Sequence, residues 1–167
     1  MPPLPTARAA VLTEVGRPVE IQELELVEPR EGEVLVRMLA SGVCHSDLHV
    51  RDAEWDRPTP IVMGHEGAGV VEAVGPGVTS PRNGELVALS WLIPCGVCRT
   101  CRRGEVWACP DSPSYRHALL DGTTAFRGVR SYCAIATMAT RSVVPAAAAI
   151  PVPPATDPRS RRSSGAA

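Results

Sequence analysis

Short apolar runs alternate with turn residues along most of the chain. Strand-like segments lie at residues 9–13, 19–26, 33–38, 69–74 and 86–90, and further strand-like stretches lie between residues 129 and 144. The turns between them carry glycine and proline, as in Gly16-Arg17-Pro18 and Gly75-Pro76-Gly77. Many short strands separated by such turns predict a mainly β domain.

The helical signal is confined to one short segment. Residues 41–49 favour a loop that enters a short helix, with Ser46 or Asp47 as the capping residue. Prolines at positions 58 and 60 end any helix there. From Pro145 onward alanine and proline dominate, and residues 156–167 form a polar tail rich in arginine and serine. We therefore expect a folded domain over residues 7–155 and disorder over 156–167.

Composition narrows the class of protein. The 167 residues suit one domain, and a net charge of −1 gives no reason to expect a nucleic-acid partner. No stretch is long and apolar enough for a membrane span, and the N-terminus lacks the pattern of a signal peptide. We therefore expect a cytoplasmic protein without membrane association. All 17 basic residues are arginine, which suggests a GC-rich coding sequence.

Four of the six cysteines form a cluster with metal-ligand spacing, Cys95-x2-Cys98-x2-Cys101-x7-Cys109. Four thiolates suit a tetrahedral Zn²⁺, and a closed shell of four leaves no open position, so the pattern predicts a structural zinc in a lobe over residues 91–113. An iron–sulfur cluster is one alternative, although the bacterial ferredoxin run has x3 rather than x7 before its last cysteine. Unligated or disulfide-linked cysteines are the other.

A second constellation carries a family resemblance. Cys44 lies in Gly-Val-Cys-His-Ser-Asp, and His65 opens the run Gly-His-Glu-x2-Gly-x5-Gly-x2-Val at residues 64–78. Together with the cysteine lobe, these motifs resemble the N-terminal catalytic domain of the zinc-dependent medium-chain alcohol dehydrogenases. The resemblance implies a GroES-like irregular β-barrel with short helices. It also implies that Cys44 and His65 are ligands of a catalytic zinc, with the carboxylate of Glu66 near the metal.

The same resemblance assigns roles to the residues that follow Cys44. Asp47 is similar to the carboxylate that orients the imidazole of His65. Ser46 and His49 are similar to the relay that carries the alcohol proton to solvent. His45 is similar to the residue that contacts the pyrophosphate of NAD(P). For Ser46 and Asp47, helix capping alone is the alternative role.

Four further residues stand out without a firm assignment. Trp55 and Trp91 either line a substrate cleft or are ordinary packing aromatics. His117 matches no family position, and we expect a surface histidine. Cys133, between Tyr132 and Ala134, is expected to be a buried strand thiol.

Two family features are missing from these residues. The nearest match to a dinucleotide fingerprint is Gly75-x-Gly77-x-x-Ser80, which lacks the third glycine, so we expect no Rossmann domain. The third catalytic zinc ligand is also absent, because the family supplies it from a cysteine beyond the end of the resemblance. We therefore expect a weak or absent catalytic zinc.

The tail at residues 156–167 suggests why these two family features are missing. One GC-rich spelling of residues 157–167 becomes Asp-Pro-Ala-Val-Ala-Ala-Leu-Ile-Gly-Cys when a single G is restored after codon 158. That apolar run into Gly-Cys resembles the family segment with the missing ligand. We hypothesise a frameshifted, truncated gene, which the nucleotide sequence decides.

These inferences lead to one preferred function and two alternatives. The chain is expected to be the zinc-binding catalytic domain of an NAD(P)-dependent oxidoreductase acting on a small alcohol or aldehyde, inactive alone. One alternative is a zinc-stabilised binding module that pairs with a full-length paralogue. The other is an iron–sulfur electron carrier.

Overall fold

Nine β-strands and two short α-helices form the chain in the computed structural model, which describes residues 5–153. The strands are β1 (Thr6–Leu12), β2 (Glu20–Glu25), β3 (Glu33–Ser41), β4 (Ile61–Val62), β5 (Gly67–Val74), β6 (Leu86–Leu89), β7 (Arg130–Ser131), β8 (Arg141–Pro145) and β9 (Ala149–Pro151). The helices are α1 (His45–Arg51) and α2 (Arg99–Arg102). Single 3-10 turns lie at Val106–Ala108, Pro113–Arg116, Tyr132–Ala134 and Ala146–Ala148. The prediction of a mainly β domain is confirmed.

The strands build two sheets. One has four strands in the order β2-β1-β4-β7, and the other has five in the order β8-β3-β5-β6-β9. All pairs are antiparallel except β4 with β7. The helix α1 lies in the connection from β3 to β4, and the cysteine lobe lies between β6 and β7. Within the described residues, no helix has the length and hydropathy that a membrane crossing requires.

Strand β3 explains how the core is divided. Successive side chains of a strand point to opposite faces, so Val34 and Val36 join one apolar cluster while Leu35 joins another. Each cluster packs against other strands, and Phe126, the single phenylalanine, is fully buried in the cluster with Leu35. Burying a side chain of this size stabilises the fold by roughly 1.5–3 kcal/mol. A strand buried on both faces needs a continuous apolar run, which Val34-Leu35-Val36 supplies.

Of three predictions about local structure, the helix cap is right in part and the other two are wrong. The N-cap of α1 is Cys44, and Asp47 acts from the first turn, where its carboxylate accepts the backbone N–H of Cys44. Cys133 lies in a 3-10 turn with a φ of 50° and is only partly buried, because the short strand β7 has already ended. His117 is buried, with 7% of its surface exposed, because it ends a turn folded against Tyr132. The predicted tail, 156–167, lies outside the described residues.

Candidate metal centres and the adjoining cleft

The four cysteines of the lobe converge on one point. Their Sγ atoms all lie within 4.8 Å of one another. The distance from Cys95 to Cys101 is 4.0 Å and that from Cys98 to Cys109 is 3.9 Å. Four thiolates around Zn²⁺ at bonds of about 2.3 Å have sulfur–sulfur separations of about 3.8 Å. The donor set therefore fits a tetrahedral zinc.

Local backbone geometry creates this convergence and favours thiolates. Gly96 has a φ of 77°, a conformation that suits glycine, and the turn it makes leads to Cys98 at the N-cap of α2. Backbone N–H groups point at sulfur, with Cys98 N 3.3 Å from Cys95 Sγ and Cys101 N 3.5 Å from Cys98 Sγ. The Thr100 hydroxyl and the Cys101 N–H lower the pKa of Cys98 to about 6, whereas burial and the neighbouring thiols raise that of Cys101 to about 12. Repulsion between adjacent thiolates opposes the ionisation of all four, and a bound cation would relieve it.

A second donor set lies at one end of the five-stranded sheet. Cys44 follows β3, and His65 and Glu66 precede β5, which pairs with β3. One ligand atom from each of these three residues lies within 4.8 Å of the others. A Cβ on Gly42 would lie 2.4 Å from a carboxylate oxygen of Glu66, so a larger residue there would require the Glu66 side chain to move. The structure thus brings together the three predicted residues.

Asp47 connects the two halves of this donor set. One carboxylate oxygen accepts the Cys44 N–H at 3.0 Å, and the other lies 3.4 Å from His65 Nδ1. Both the Asp47 and the His65 side chains are buried. Asp47 raises the pKa of His65, and backbone and hydroxyl contacts from Ser46 lower the pKa of Cys44. Because Nδ1 faces Asp47, Nε2 of His65 is the nitrogen left for a metal, which fits the expected ligand role.

The predicted relay residues separate into two places. Ser46 Oγ lies 3.6 Å from Cys44 Sγ, at the metal end. The imidazole of His49 instead contacts the Glu54 carboxylate through Nδ1 and stacks on Trp55 with ring centroids 4.8 Å apart. His45 lies against His49, with ring centroids 4.6 Å apart. Across residues 5–153 no hydrogen bond joins Ser46 directly to His49.

An open cleft and a neighbouring cavity adjoin the second donor set. The cleft measures about 260 Å³ and is lined by Cys44, Ser46, His65, Glu66, Trp91, Tyr132 and Cys133. The cavity measures about 350 Å³ and is lined by Arg57, Trp91, Ser114, Tyr115, His117, Tyr132 and Cys133. Trp91 thus lines the cleft, whereas Trp55 packs on His49. Arg57, Tyr132 and Glu54 are not predictable from the sequence as site residues, because no motif marks them and only the fold brings them close.

His117 is part of the cavity wall rather than the surface. Its Nδ1 accepts the backbone N–H of Cys133 at 3.1 Å, and its ring stacks on Tyr132 with centroids 5.6 Å apart. Burial, reinforced by the charges of Arg57 and Arg130, lowers the pKa of His117 to about 4. The ring is therefore neutral near pH 7, with its proton on Nε2.

Comparison with known proteins places these features in a family. Residues 30–154 match the alcohol dehydrogenase GroES-like domain. An NDMA-dependent alcohol dehydrogenase of Amycolatopsis methanolica is 45% identical over 142 residues, covering 82% of this chain but 38% of that protein.

Solved structures also resemble this chain over most of its length. Benzyl alcohol dehydrogenase from Acinetobacter calcoaceticus is 34% identical with a TM-score of 0.85, over 92% of this chain and 43% of that one. An alcohol dehydrogenase zinc-binding domain protein from Burkholderia ambifaria is 37% identical with a TM-score of 0.83, over 90% and 43% respectively. The chain thus spans about two-fifths of the relatives it matches. The predicted GroES-like fold is confirmed, and the chain belongs to the alcohol dehydrogenase GroES-like domain family.

Proposed function

We propose that this chain is the metal-binding catalytic domain of a zinc-dependent alcohol dehydrogenase. The observation that carries the proposal is the convergence of Cys44, His65 and Glu66, with the buried Asp47 carboxylate facing His65 Nδ1. In this assignment Cys44 and His65 hold a catalytic zinc. The bound zinc supplies Lewis acidity, which lowers the pKa of an alcohol hydroxyl.

Two further residues, Ser46 and His49, have the role of carrying the alcohol proton. Ser46, beside Cys44, lies where its hydroxyl can take the proton of a substrate alcohol. His49, turned toward Glu54 at the surface, is the exit to solvent. A bound cofactor ribose would close the gap between the two. The flat walls of Trp91 and Tyr132 suit an aromatic or primary alcohol, in keeping with the benzyl alcohol dehydrogenase among the relatives.

The four-cysteine lobe has a separate part in this proposal. Its four sulfurs leave no open ligand position, so a zinc held there stabilises the segment between β6 and β7 without touching substrate. The segment needs such support, since its exposed side chains include Val97 and Trp107. A zinc here would add to the few buried apolar residues of the lobe, such as Ile93.

Hydride transfer needs an acceptor that these residues do not provide. The 167 residues contain no complete Gly-x-Gly-x-x-Gly motif. We therefore propose that NAD(P) binds through a further domain, as in the parent family, and that the 167-residue chain alone does not oxidise alcohols. The chain supplies the metal centre and the substrate walls.

Metal analysis of the purified chain tests the proposal directly. We expect one tightly bound zinc per chain from the lobe and a second, weaker zinc that Cys44→Ser removes. Benzyl alcohol with NAD or NADP should give no measurable turnover. Iron in place of zinc, or a zinc content unaffected by any cysteine substitution, contradicts the assignment. Turnover by the chain alone contradicts the proposed need for a further domain.

A further inference from the structure

The cavity beside the cleft adjoins the candidate active site. The cavity and the cleft share three lining residues, Trp91, Tyr132 and Cys133. The cleft reaches Cys44 and His65, whereas the cavity reaches Arg57 and His117. If one ligand extends along this shared wall, one of its ends lies at the metal ligands and the other beside these two basic residues. The walls between the two ends are aromatic.

Arg57 brings an unpaired positive charge to the far end. Among the described residues no carboxylate pairs with it, and its Nε is buried without a hydrogen-bond partner. The guanidinium is held in place by its bond to the Asp56 carbonyl oxygen at 2.7 Å and by the Trp55 ring, 5.5 Å away. A guanidinium held in this way without a carboxylate partner favours an anionic ligand.

The neighbouring groups are also donors. His117 uses Nδ1 as an acceptor for the Cys133 N–H, so its Nε2–H is left to donate, and the structure gives it no acceptor among residues 5–153. Tyr115 adds a hydroxyl, while the Ser114 hydroxyl is already bonded to the Trp91 carbonyl oxygen. No aspartate or glutamate lines the cavity. A lining that has an arginine and a histidine donor but no carboxylate matches a ligand carboxylate, which only accepts hydrogen bonds.

We propose that the cavity is a carboxylate subsite, with Arg57 and His117 as its donors. Its ligands are aromatic acids, whose ring packs between Trp91 and Tyr132 and whose carboxylate meets Arg57. The substrate part of this inference rests on the proposed function. If the metal end handles an alcohol, the preferred substrates are aromatic alcohols or aldehydes that carry a carboxylate at the far end of the ring.

Ligand binding tests the subsite without any catalytic step. The probes are 4-(hydroxymethyl)benzoate and the neutral 4-methylbenzyl alcohol, each titrated into the zinc-loaded 167-residue chain by calorimetry. We expect the acid to bind about tenfold tighter or more, because charge-assisted hydrogen bonds are stronger than neutral ones. Arg57→Gln should remove most of this preference, and His117→Asn should reduce it by about threefold. Arg17→Gln, on an exposed turn, is the matched control and should leave the preference unchanged.

Two outcomes separate this inference from the proposed function. The alternative is that the carboxylate of the probe binds the catalytic metal. In that case the chain would still bind the acid more tightly than the alcohol in Arg57→Gln but not in Cys44→Ser, and this result overturns the subsite. Equal binding of the two probes to the unmodified chain overturns it as well. If Cys44→Ser has no effect on either probe while Arg57→Gln removes acid binding, the subsite stands and the assignment of the metal end fails. Circular dichroism and retention of the lobe zinc establish that each variant is folded.

Discussion

The four-cysteine lobe takes all of its ligand atoms from residues 95–109, whereas the cleft takes Cys44, His65 and Glu66 from the ends of two paired strands. The lobe has little secondary structure beyond α2 and one 3-10 turn. The cleft is built on β3 and β5, which pack into the apolar core. Metal binding should therefore fold the lobe, while the fold should pre-form the cleft whether or not metal is bound. The predictions below test this difference, from the largest expected effect to the smallest.

Removal of one lobe ligand should have the largest effect. We expect Cys101→Ser to abolish zinc binding by the lobe, because three thiolates no longer close the tetrahedral shell. Tm should fall by about 10 °C or more, since structural zinc binding supplies much of the folding free energy of such segments. Calorimetry and zinc content measure both effects. Cys133→Ser, a cysteine outside the lobe, is the control and should retain the lobe zinc. A chain that keeps its Tm after losing the lobe zinc would show that the lobe folds without metal.

Acid should destabilise the cleft side of the molecule through His117. Its pKa is about 4 in the fold and about 6.5 when unfolded, so the unfolded chain binds more protons between these values. The neutral ring makes its full contribution to the free energy of unfolding above pH 6.5. That free energy falls by about 3 kcal/mol as the pH drops toward 4. Urea unfolding at pH 7 and pH 4.5 measures this loss.

The matched variant for that experiment is His117→Asn. An asparagine side chain can accept the Cys133 N–H and tolerates the left-handed backbone, where the φ of His117 is 53°. We expect the free energy of unfolding to fall less in the variant than in the unmodified chain between pH 7 and pH 4.5. The comparison isolates His117, because protonation of the metal ligands affects both proteins. Equal losses in the two proteins contradict a buried neutral His117.

The second donor set should respond to Asp47 through metal affinity rather than through the lobe. Asp47→Asn removes the charge that faces His65 Nδ1, and such changes beside a metal-ligating histidine weaken metal binding about 10–100-fold. Competition with a chromophoric chelator should show this loss for the weaker zinc only, with the lobe zinc unchanged. An unchanged affinity, or an equal loss from both centres, contradicts the assignment of His65 as a ligand oriented by Asp47.

The two regions also differ in how far the sequence alone predicts them. The lobe was recognisable from spacing because its ligands are close in the chain, and the structure places all four sulfurs together. The donor set of the cleft can be predicted only through the family resemblance, since Cys44 and His65 lie 21 positions apart. No sequence pattern predicts the polar wall of the cavity. The expectation of a surface His117 is wrong, because the burial of this side chain depends on the packing of Tyr132. Periodicity found most strands, but the two-residue strands β4 and β7 are too short to show one.

The smallest effect should come from Glu54, at the surface end of the proposed proton path. The Glu54 side chain is 60% exposed, and exposed ion pairs contribute about 0–1 kcal/mol, so Glu54→Gln should change stability very little. The carboxylate nevertheless faces His49 Nδ1 and favours the tautomer with the proton on that nitrogen. Nitrogen-15 NMR of the ring should show a larger share of the Nε2–H tautomer in Glu54→Gln. Glu14→Gln, which pairs with Arg17 on the surface, should leave the His49 spectrum unchanged. An unaltered tautomer ratio in Glu54→Gln would mean that the Glu54 carboxylate does not orient His49, and would remove Glu54 from the proposed proton path.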